Sequence, residues 1–100
     1  MASPSGLVPS TGDLEAAAAR LAGKVRRTPV LEVRGEDLGV AARVFLKLEH
    51  TQHTGSFKAR GALHKLLCLT PSERNAGVVT ASSGNHGAGL AWASQTLGVE

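Results

Sequence analysis

The sequence predicts an α/β fold with a parallel sheet, in a Rossmann-like three-layer arrangement. Segments with helical periodicity alternate along the chain with short segments of strand character, which is typical of folds with right-handed crossovers. Two strand-to-helix junctions are rich in small polar residues. The 100 residues include two Phe, one Trp and no Tyr, so Ala, Leu and Val must form the core. A parallel sheet this short leaves faces and edges uncovered, so we expect the chain to be the front part of a larger fold.

The first part of the chain is predicted as a leader, a helix and an extended connection. Residues 1–12 are rich in Ser, Pro and Gly and indicate a flexible leader. Organised structure is expected from residue 13 onwards. Asp13–Val25 is dense in strong helix formers and has acidic residues in its first turn, which predicts a helix. Thr28 precedes a proline and is therefore biased away from the helical region, so RTPVLEV should continue as an extended connection.

The second part alternates strand and helix. Apolar residues at period two predict a strand, and apolar residues at i, i+3, i+4 and i+7 predict a helix. The first two predicted elements are a strand at Arg43–Glu49 and a helix with its apolar stripe at Ala59, Ala62, Leu63, Leu66 and Leu67. This helix is expected to be capped by Ser56 and to end before Thr70-Pro71. The elements predicted after it are a buried parallel strand Val78–Ala81, a helix Ala88–Leu97 and a strand that opens at Val99.

Composition excludes several classes of function. The net charge is +3, but the cations are scattered and are not interleaved with aromatic residues, which argues against nucleic-acid binding. The sequence has no apolar run of about 20 residues and no secretory signal, so we expect a cytoplasmic protein without a membrane segment. The single cysteine, Cys68, excludes an internal disulfide and is interpreted as a small buried hydrophobe. His50 and His53 lack a third ligand at metal spacing, so no metal is predicted.

Two loops have the composition of a ligand site. Thr54–Lys58 reads TGSFK and Ser82–Gly87 reads SSGNHG, and each precedes a predicted helix whose first N–H groups would favour an anion. Both follow strands, so they should open onto the same side of the sheet and face one ligand. Lys58 is unusual in a first helical turn, where a cation is disfavoured, and a neutral amine there could react with an aldehyde. The alternative interpretation is a solvated surface lysine.

The segments KLEHTQHTGSFKARGA and ASSGNHGAGLA, in this order, resemble the pyridoxal-phosphate enzymes of fold type II. They are most similar to the serine/threonine dehydratases and serine racemases, and RTPV at Arg27–Val30 resembles the entry segment of that family. The segment Lys58–Gly61 together with His86 favours the dehydratase branch.

The resemblance implies a role for each matching residue. Lys58 would bind pyridoxal phosphate covalently and then remove the substrate Cα proton. Phe57 would pack near the pyridine ring, and Asn85 would donate a hydrogen bond to the phenolic oxygen of the ring. Ser83 matches the acid/base that racemases use on the opposite face. The substrate carboxylate would be held by the loop that comprises Ser82, Ser83, Gly84, Asn85 and His86.

The implied function is a pyridoxal-phosphate-dependent ammonia-lyase that converts L-serine or L-threonine into a 2-oxo acid and ammonia. Residues 13–100 would be the N-terminal part of the enzyme domain, with the phosphate-binding loop beyond residue 100 and a homodimer as the assembly. Lys58 would belong to the larger domain and the SSGNHG loop to the smaller one.

Three alternatives remain open: a serine racemase-like isomerase, a non-catalytic truncated remnant, and a dinucleotide-binding module. The last is disfavoured because the glycines read GxxGxG and not GxGxxG. Four further side chains are interpreted structurally: His64 as a solvated imidazole, Trp92 as core, and Arg60 and Lys65 as surface charges.

Overall fold

The computed structural model describes residue 6 and residues 8–100, and the start of the predicted leader, residues 1–5 and 7, lies outside the described part. Helices form most of the regular structure, and the strands are confined to one hairpin. The elements are α1 Thr11–Leu21, β1 Val30–Arg34, β2 Arg43–Lys47, α2 Lys58–Leu67, α3 Pro71–Ala76 and α4 Asn85–Leu97, with short 3₁₀ turns at Gly35–Leu38, Glu49–Thr51 and His53–Gly55.

Helix α1 begins earlier and ends earlier than the sequence predicted. Ser10 caps it: the Ser10 hydroxyl accepts a hydrogen bond from the Asp13 N–H at 3.1 Å, and the Asp13 carboxylate accepts one from the Ser10 N–H at 2.8 Å. The carboxylate also accepts a hydrogen bond from the Ser10 hydroxyl at 2.9 Å, and the bonds donated to it by the Ser10 N–H and then by this hydroxyl lower the pKa of Asp13. The predicted leader is therefore wrong at its end, because Thr11 and Gly12 are helical. The helix stops at Leu21, and Gly23 follows with a left-handed φ of 74°.

The sheet is an antiparallel hairpin. The segment expected as an extended connection forms β1, which pairs with β2 in a register from Val30 opposite Lys47 to Arg34 opposite Arg43. Strand β2 ends at Lys47, two residues before the predicted end. Gly35 follows β1 at a place where only glycine fits, because an added Cβ would overlap the Ala42 carbonyl oxygen.

The prediction of a parallel sheet is not confirmed in this chain. The described residues contain one sheet, which has two antiparallel strands, and the predicted strands at Val78–Ala81 and Val99 are not formed. A strand needs a neighbour with which to share a ladder of hydrogen bonds. Here the contact between the two segments is one bond, from the Val78 N–H to the Glu100 carbonyl oxygen at 2.7 Å. Val79 lies outside any helix or strand and is 99% exposed.

The core lies between α2 and α4. Its buried residues are small or aliphatic, as the composition predicted, and the half-buried Trp92 packs against them as expected. The predicted apolar stripe of α2 is confirmed at its four buried positions. Helix α3 was missed by the sequence analysis, although Thr70 and Glu73 form a capping box around Pro71. The buried residues of this interface are Ala59, Ala62, Leu63 and Leu66 of α2 and Gly89 and Ala93 of α4.

Cys68 is exposed, so its interpretation as a buried hydrophobe is wrong. Helix α2 ends at Leu67, and Cys68 is the C-cap residue just outside the apolar stripe. Its sulfur lies 3.7 Å from His64 Nε2, and His64 also lies 3.3 Å from a guanidinium nitrogen of Arg20. Burial and then the charge of Arg20 lower the pKa of His64.

We expect the substitution Gly35→Ala to lower the free energy of unfolding by about 2 kcal/mol or more, because the added methyl group overlaps two backbone carbonyls of the hairpin. The matched control is Gly12→Ala in α1, where the nearest atom to the new Cβ is the Ser10 hydroxyl oxygen at 3.7 Å. Urea unfolding of the full-length protein measures both. Equal midpoints for the two variants would contradict the close approach at Gly35.

Candidate functional site

Helices α2 and α4 begin at the same end of their shared interface. Helix α2 starts at Lys58 and α4 starts at Asn85. Gly89, one turn into α4, faces the first turn of α2, since a Cβ built on Gly89 would lie 3.1 Å from the carbonyl carbon and oxygen of Lys58. The structure therefore brings together the two segments that the sequence singled out, Thr54–Lys58 and Ser82–Gly87, with no sheet between them.

The loop before α2 presents Lys58 at the surface. Thr54 and Gly55 both have left-handed φ values, 64° and 78°, which produce the sharp turn before the helix. The N-cap residue is Phe57, whereas the sequence predicted Ser56. The Ser56 hydroxyl still accepts a hydrogen bond from the Lys58 N–H at 3.3 Å. The Lys58 amine lies 5.5 Å from the centroid of the Phe57 ring, and Phe57 is itself 61% exposed.

The loop before α4 leaves the helix N-terminus open. The Gly84 N–H donates to the Ser82 hydroxyl at 3.2 Å, and no side chain caps α4. The first N–H groups of a helix have no partner within it, so they can bind an anion. Gly87 allows the loop to fold back, since a Cβ there would lie 3.3 Å from Ser82 Cβ. Helix α4 begins at Asn85, three residues before the predicted start at Ala88, so Ser82, Ser83 and Gly84 lie in the loop while Asn85 and His86 form the first turn of the helix. All five of these predicted site residues are exposed.

Gln52 is a buried residue that holds the Lys58 loop through hydrogen bonds, and it was not among the predicted site residues. The residue is 2% exposed. The amide oxygen accepts hydrogen bonds from the N–H groups of Arg26 and His53, and the amide nitrogen donates to the Arg26 carbonyl oxygen and the Glu49 carboxylate. Every hydrogen-bonding position of the amide is thus used. A single polar residue in a loop carries no periodic signal, so no sequence pattern predicted this role.

Arg60 is not the surface charge that the sequence predicted. Its side chain is 30% exposed and forms an ion pair with Glu49, whose side chain is 17% exposed. Burial opposes ionisation of Glu49, but the hydrogen bond and charge of Arg60 and the hydrogen bond from Gln52 outweigh it, so the pKa of Glu49 is lowered. Lys65 is exposed, as predicted. The Glu49–Arg60 pair fastens the loop to the first turns of α2.

His53 joins the Lys58 loop to α4. Its ring stacks on Trp92 with the ring centroids 4.6 Å apart and the planes 19° from parallel. The sequence was examined at His53 only for a metal site, so its packing on Trp92 was not predicted. Within the described part of the chain, no group of three His, Cys, Asp or Glu side chains is placed to hold a metal ion. In the same part, every helix is too short or too polar to cross a membrane.

The two packed helices thus begin with an exposed lysine in one case and an uncapped N-terminus in the other. The chain belongs to the family of pyridoxal-phosphate dependent enzymes, whose family model matches residues 21–100. The family resemblance deduced from the TGSFK and SSGNHG motifs is therefore confirmed.

Named relatives and solved structures agree with this family. An L-threo-3-hydroxyaspartate ammonia-lyase from a Pseudomonas species is 48% identical over 85% of this chain and 27% of its own length. A threonine deaminase from the organism abbreviated T.th. is 50% identical, with a TM-score of 0.75 over 91% of this chain and 32% of its own. Serine racemase from Dictyostelium discoideum is 38% identical, with a TM-score of 0.80 over 89% of this chain and 29% of its own. The chain thus spans about a third or less of the length of these relatives. Its similarity to the solved structures shows that its fold is part of an α/β enzyme fold.

The residues of the site fit this cofactor. The described residues place no carboxylate in a salt bridge with the Lys58 amine. Phe57 offers an exposed ring beside that amine, suited to packing on a planar heterocycle. Asn85, in the first turn of α4, carries an amide that can donate to a ring oxygen.

We expect Glu49→Gln to lower the free energy of unfolding by about 1 to 2 kcal/mol near neutral pH, because the Arg60 guanidinium loses its ionised partner. The lowered pKa of Glu49 means that its contribution is complete above the ordinary value of 4.5 and is lost as the pH falls through the folded-state value. The difference from the wild type should therefore shrink below about pH 4.5. The exposed Glu15→Gln is the control for charge. Urea unfolding of the full-length protein across this range checks the prediction, and a difference independent of pH would contradict it.

Proposed function

We propose that this chain supplies the cofactor-linking lysine and the substrate carboxylate loop of an ammonia-lyase that acts on L-serine or L-threonine and yields a 2-oxo acid and ammonia. The observation that carries the proposal is the contact of Gly89 with the Lys58 peptide. The contact supports the proposal because Gly89 lies one helical turn from Asn85, the first residue of α4.

The names of the relatives support the substrate class. Threonine and 3-hydroxyaspartate, in the names of the deaminase and the ammonia-lyase, are both α-amino acids with a hydroxyl group on the β-carbon. A β-hydroxyl is the group that leaves after the Cα proton has been removed. The substrate of this protein would therefore be a β-hydroxy α-amino acid, and the small side chains of the Ser82–Gly87 loop suit a compact substrate.

The roles of the site residues follow from their chemistry. Pyridoxal phosphate, when bound, withdraws electrons from the substrate Cα. Lys58 would hold the cofactor covalently through its amine, and the amine, when free, would accept the Cα proton. Asn85 donates a hydrogen bond to the ring oxygen of the cofactor, and Phe57 limits the movement of the ring. The backbone N–H groups of the loop, with the Ser82 and Ser83 hydroxyls and the His86 imidazole close by, bind the substrate carboxylate.

A second candidate function is isomerisation of serine, and it is favoured by the similarity to a serine racemase structure. A racemase needs an acid/base group on each face of the substrate Cα. The exposed residue Ser83 lies two positions before Asn85, in the loop that leads into α4. Elimination requires Lys58 alone, whereas inversion requires Ser83 as well.

We further propose that residues 13–100 are the N-terminal part of one enzyme domain. The support is the match to relatives over about a third or less of their length. In this proposal Val78–Ala81 becomes a parallel strand when it gains a neighbour, the loop that grips the cofactor phosphate lies beyond residue 100, and the enzyme is a homodimer. The opposing hypothesis, a non-catalytic remnant, predicts a chain that never retains the cofactor.

Borohydride reduction of the full-length protein with pyridoxal phosphate, followed by peptide mass mapping, tests the covalent role of Lys58. We expect the cofactor mass on the peptide that contains Lys58. Lys58→Ala should lose the label and all turnover, while the control Lys65→Ala, an exposed lysine further along α2, should keep both. A label on another lysine would overturn the assignment, and the absence of any label would overturn it and favour the remnant hypothesis.

Ser83→Ala separates the two candidate functions. We expect this variant of the full-length protein to keep most of its 2-oxo acid production, within about 10-fold, because Lys58 performs the proton transfer for elimination. Any racemisation should fall by about 100-fold or more, because the group on the second face is lost. Chiral chromatography of serine together with a 2-oxo acid assay measures both reactions. An equal loss of both would show that Ser83 serves binding and not the choice of reaction.

A further inference from the structure

Gly89 marks the closest approach between α4 and α2. It is buried in the interior of α4, although glycine is among the least favourable residues inside a helix. A Cβ built there would lie 3.1 Å from the carbonyl carbon and oxygen of Lys58 and 3.3 Å from the backbone nitrogen of Ala59. With such a Cβ present, the backbones of α2 and α4 would have to separate locally by a few tenths of an ångström.

The contact involves the backbone of the lysine itself. Most small residues in a helix interface face side chains, which can adjust by rotation. Gly89 faces the peptide group that joins Lys58 to Ala59, and this peptide is fixed as the first turn of α2. An outward movement of α4 would therefore change the distance from α4 to the Lys58 Cα atom.

Asn85 lies on the same face of α4 as Gly89. The two residues are four positions apart, so they are neighbours along one side of the helix. Ala93, four positions further on, is fully buried against α2. This face of α4 thus runs from the core at Ala93, past the Lys58 peptide at Gly89, to the open end at Asn85.

We propose that Gly89 is a positioning residue that sets the separation between Lys58 and the Asn85 segment. This inference rests on the proposed function, in which both residues contact one cofactor. Because the required accuracy in such a site is well below 1 Å, the displacement caused by one methyl group is large enough to matter.

Other contacts near the site act through side chains or hold different elements together. The His53–Trp92 stack also joins the two elements, but Trp92 is half-buried and a stacked pair of rings can slide. The bonds of Gln52 and Glu49 hold the Lys58 loop to the body of the protein and not to α4. Gly89, by contrast, brings α4 against the backbone of Lys58 itself.

The test uses Gly89→Ala in the full-length protein with pyridoxal phosphate. Gly61→Ala is the matched control, because Gly61 is also inside a helix, is exposed, and has no atom within 4 Å of an added Cβ. A second variant, Gly89→Ala with Ala93→Gly, keeps the composition of α4 and moves the missing methyl group one turn away from Lys58.

Three measurements are made on each variant: the melting temperature, kcat with KM, and the pH midpoint of the visible absorbance of the lysine-bound cofactor. We expect both Gly89 variants to melt within a few degrees of the wild type, to lose about 10-fold or more in kcat, and to show a shifted pH midpoint. KM should change less than kcat. Gly61→Ala should match the wild type in all three, since its methyl group touches nothing.

The assignment would be overturned if the pH midpoint and kcat of both Gly89 variants equalled those of Gly61→Ala. It would also be overturned if both variants failed to fold while Gly61→Ala folded, since Gly89 would then serve the fold as a whole. A failure of the proposed function is distinguishable, because the wild type would then carry no cofactor on Lys58. In that case the crystal structure of cofactor-free Gly89→Ala still tests the displacement of α4 from the Lys58 carbonyl.

Discussion

The close contact between α2 and α4 is the interaction on which the rest of this structure depends. It is made by residues with almost no side chain, since Ala59 and Ala93 are fully buried and Gly89 touches backbone. With so few aromatic residues, the chain gains little burial per side chain and compensates by bringing two helix backbones close together. Because both helices begin at the same end of this contact, the packing that stabilises the chain also forms the candidate site.

The second layer of organisation is polar and lies under the Lys58 loop. Gln52 and Glu49 connect the segment after α1, the loop and the first turns of α2 through buried hydrogen bonds and one ion pair. Such networks are costly when incomplete and specify one arrangement when every group is paired. The α2–α4 contact thus places the lysine relative to α4, and the polar network places it relative to the body of the chain.

The sequence predicted the helices of the site and their family correctly, and it was less successful with the strands. The stripe of α2 has a clear period and was confirmed, and the SSGNHG motif was recognisable by its composition. The segment Val78–Ala81 has strand character, but strand formation depends on a partner that the described residues do not supply. The antiparallel hairpin was missed because β1 lacks a distinctive alternation. The site residues were named from a resemblance, and the structure supplies the contact that places two of their segments together.

Gln52, Arg60 and His53 could not have been predicted, for a common physical reason. Each acquires its role from a partner distant in sequence: Gln52 from Arg26, Arg60 from Glu49 and His53 from Trp92. Local patterns report the tendency of a segment to form a helix or strand, and they contain no information on which distant groups will meet. Charged and polar residues are therefore assigned to the surface by default, and this default is wrong wherever the fold supplies a partner.

The segment Val78–Ala81, which follows α3, also affects the tendency of the protein to aggregate while it folds. Val78, Val79 and Thr80 are β-branched, and the side chain of Val79 is almost entirely in water. The Val78 N–H is bonded to Glu100, but Val79 and Thr80 form no backbone hydrogen bond within the described part of the chain, and such groups are a template onto which a strand of another molecule can add. While this edge is uncovered, strands of other molecules can pair with it, and concentrated chains would associate through it. Early pairing or covering of this edge during folding would therefore favour a good yield of native protein.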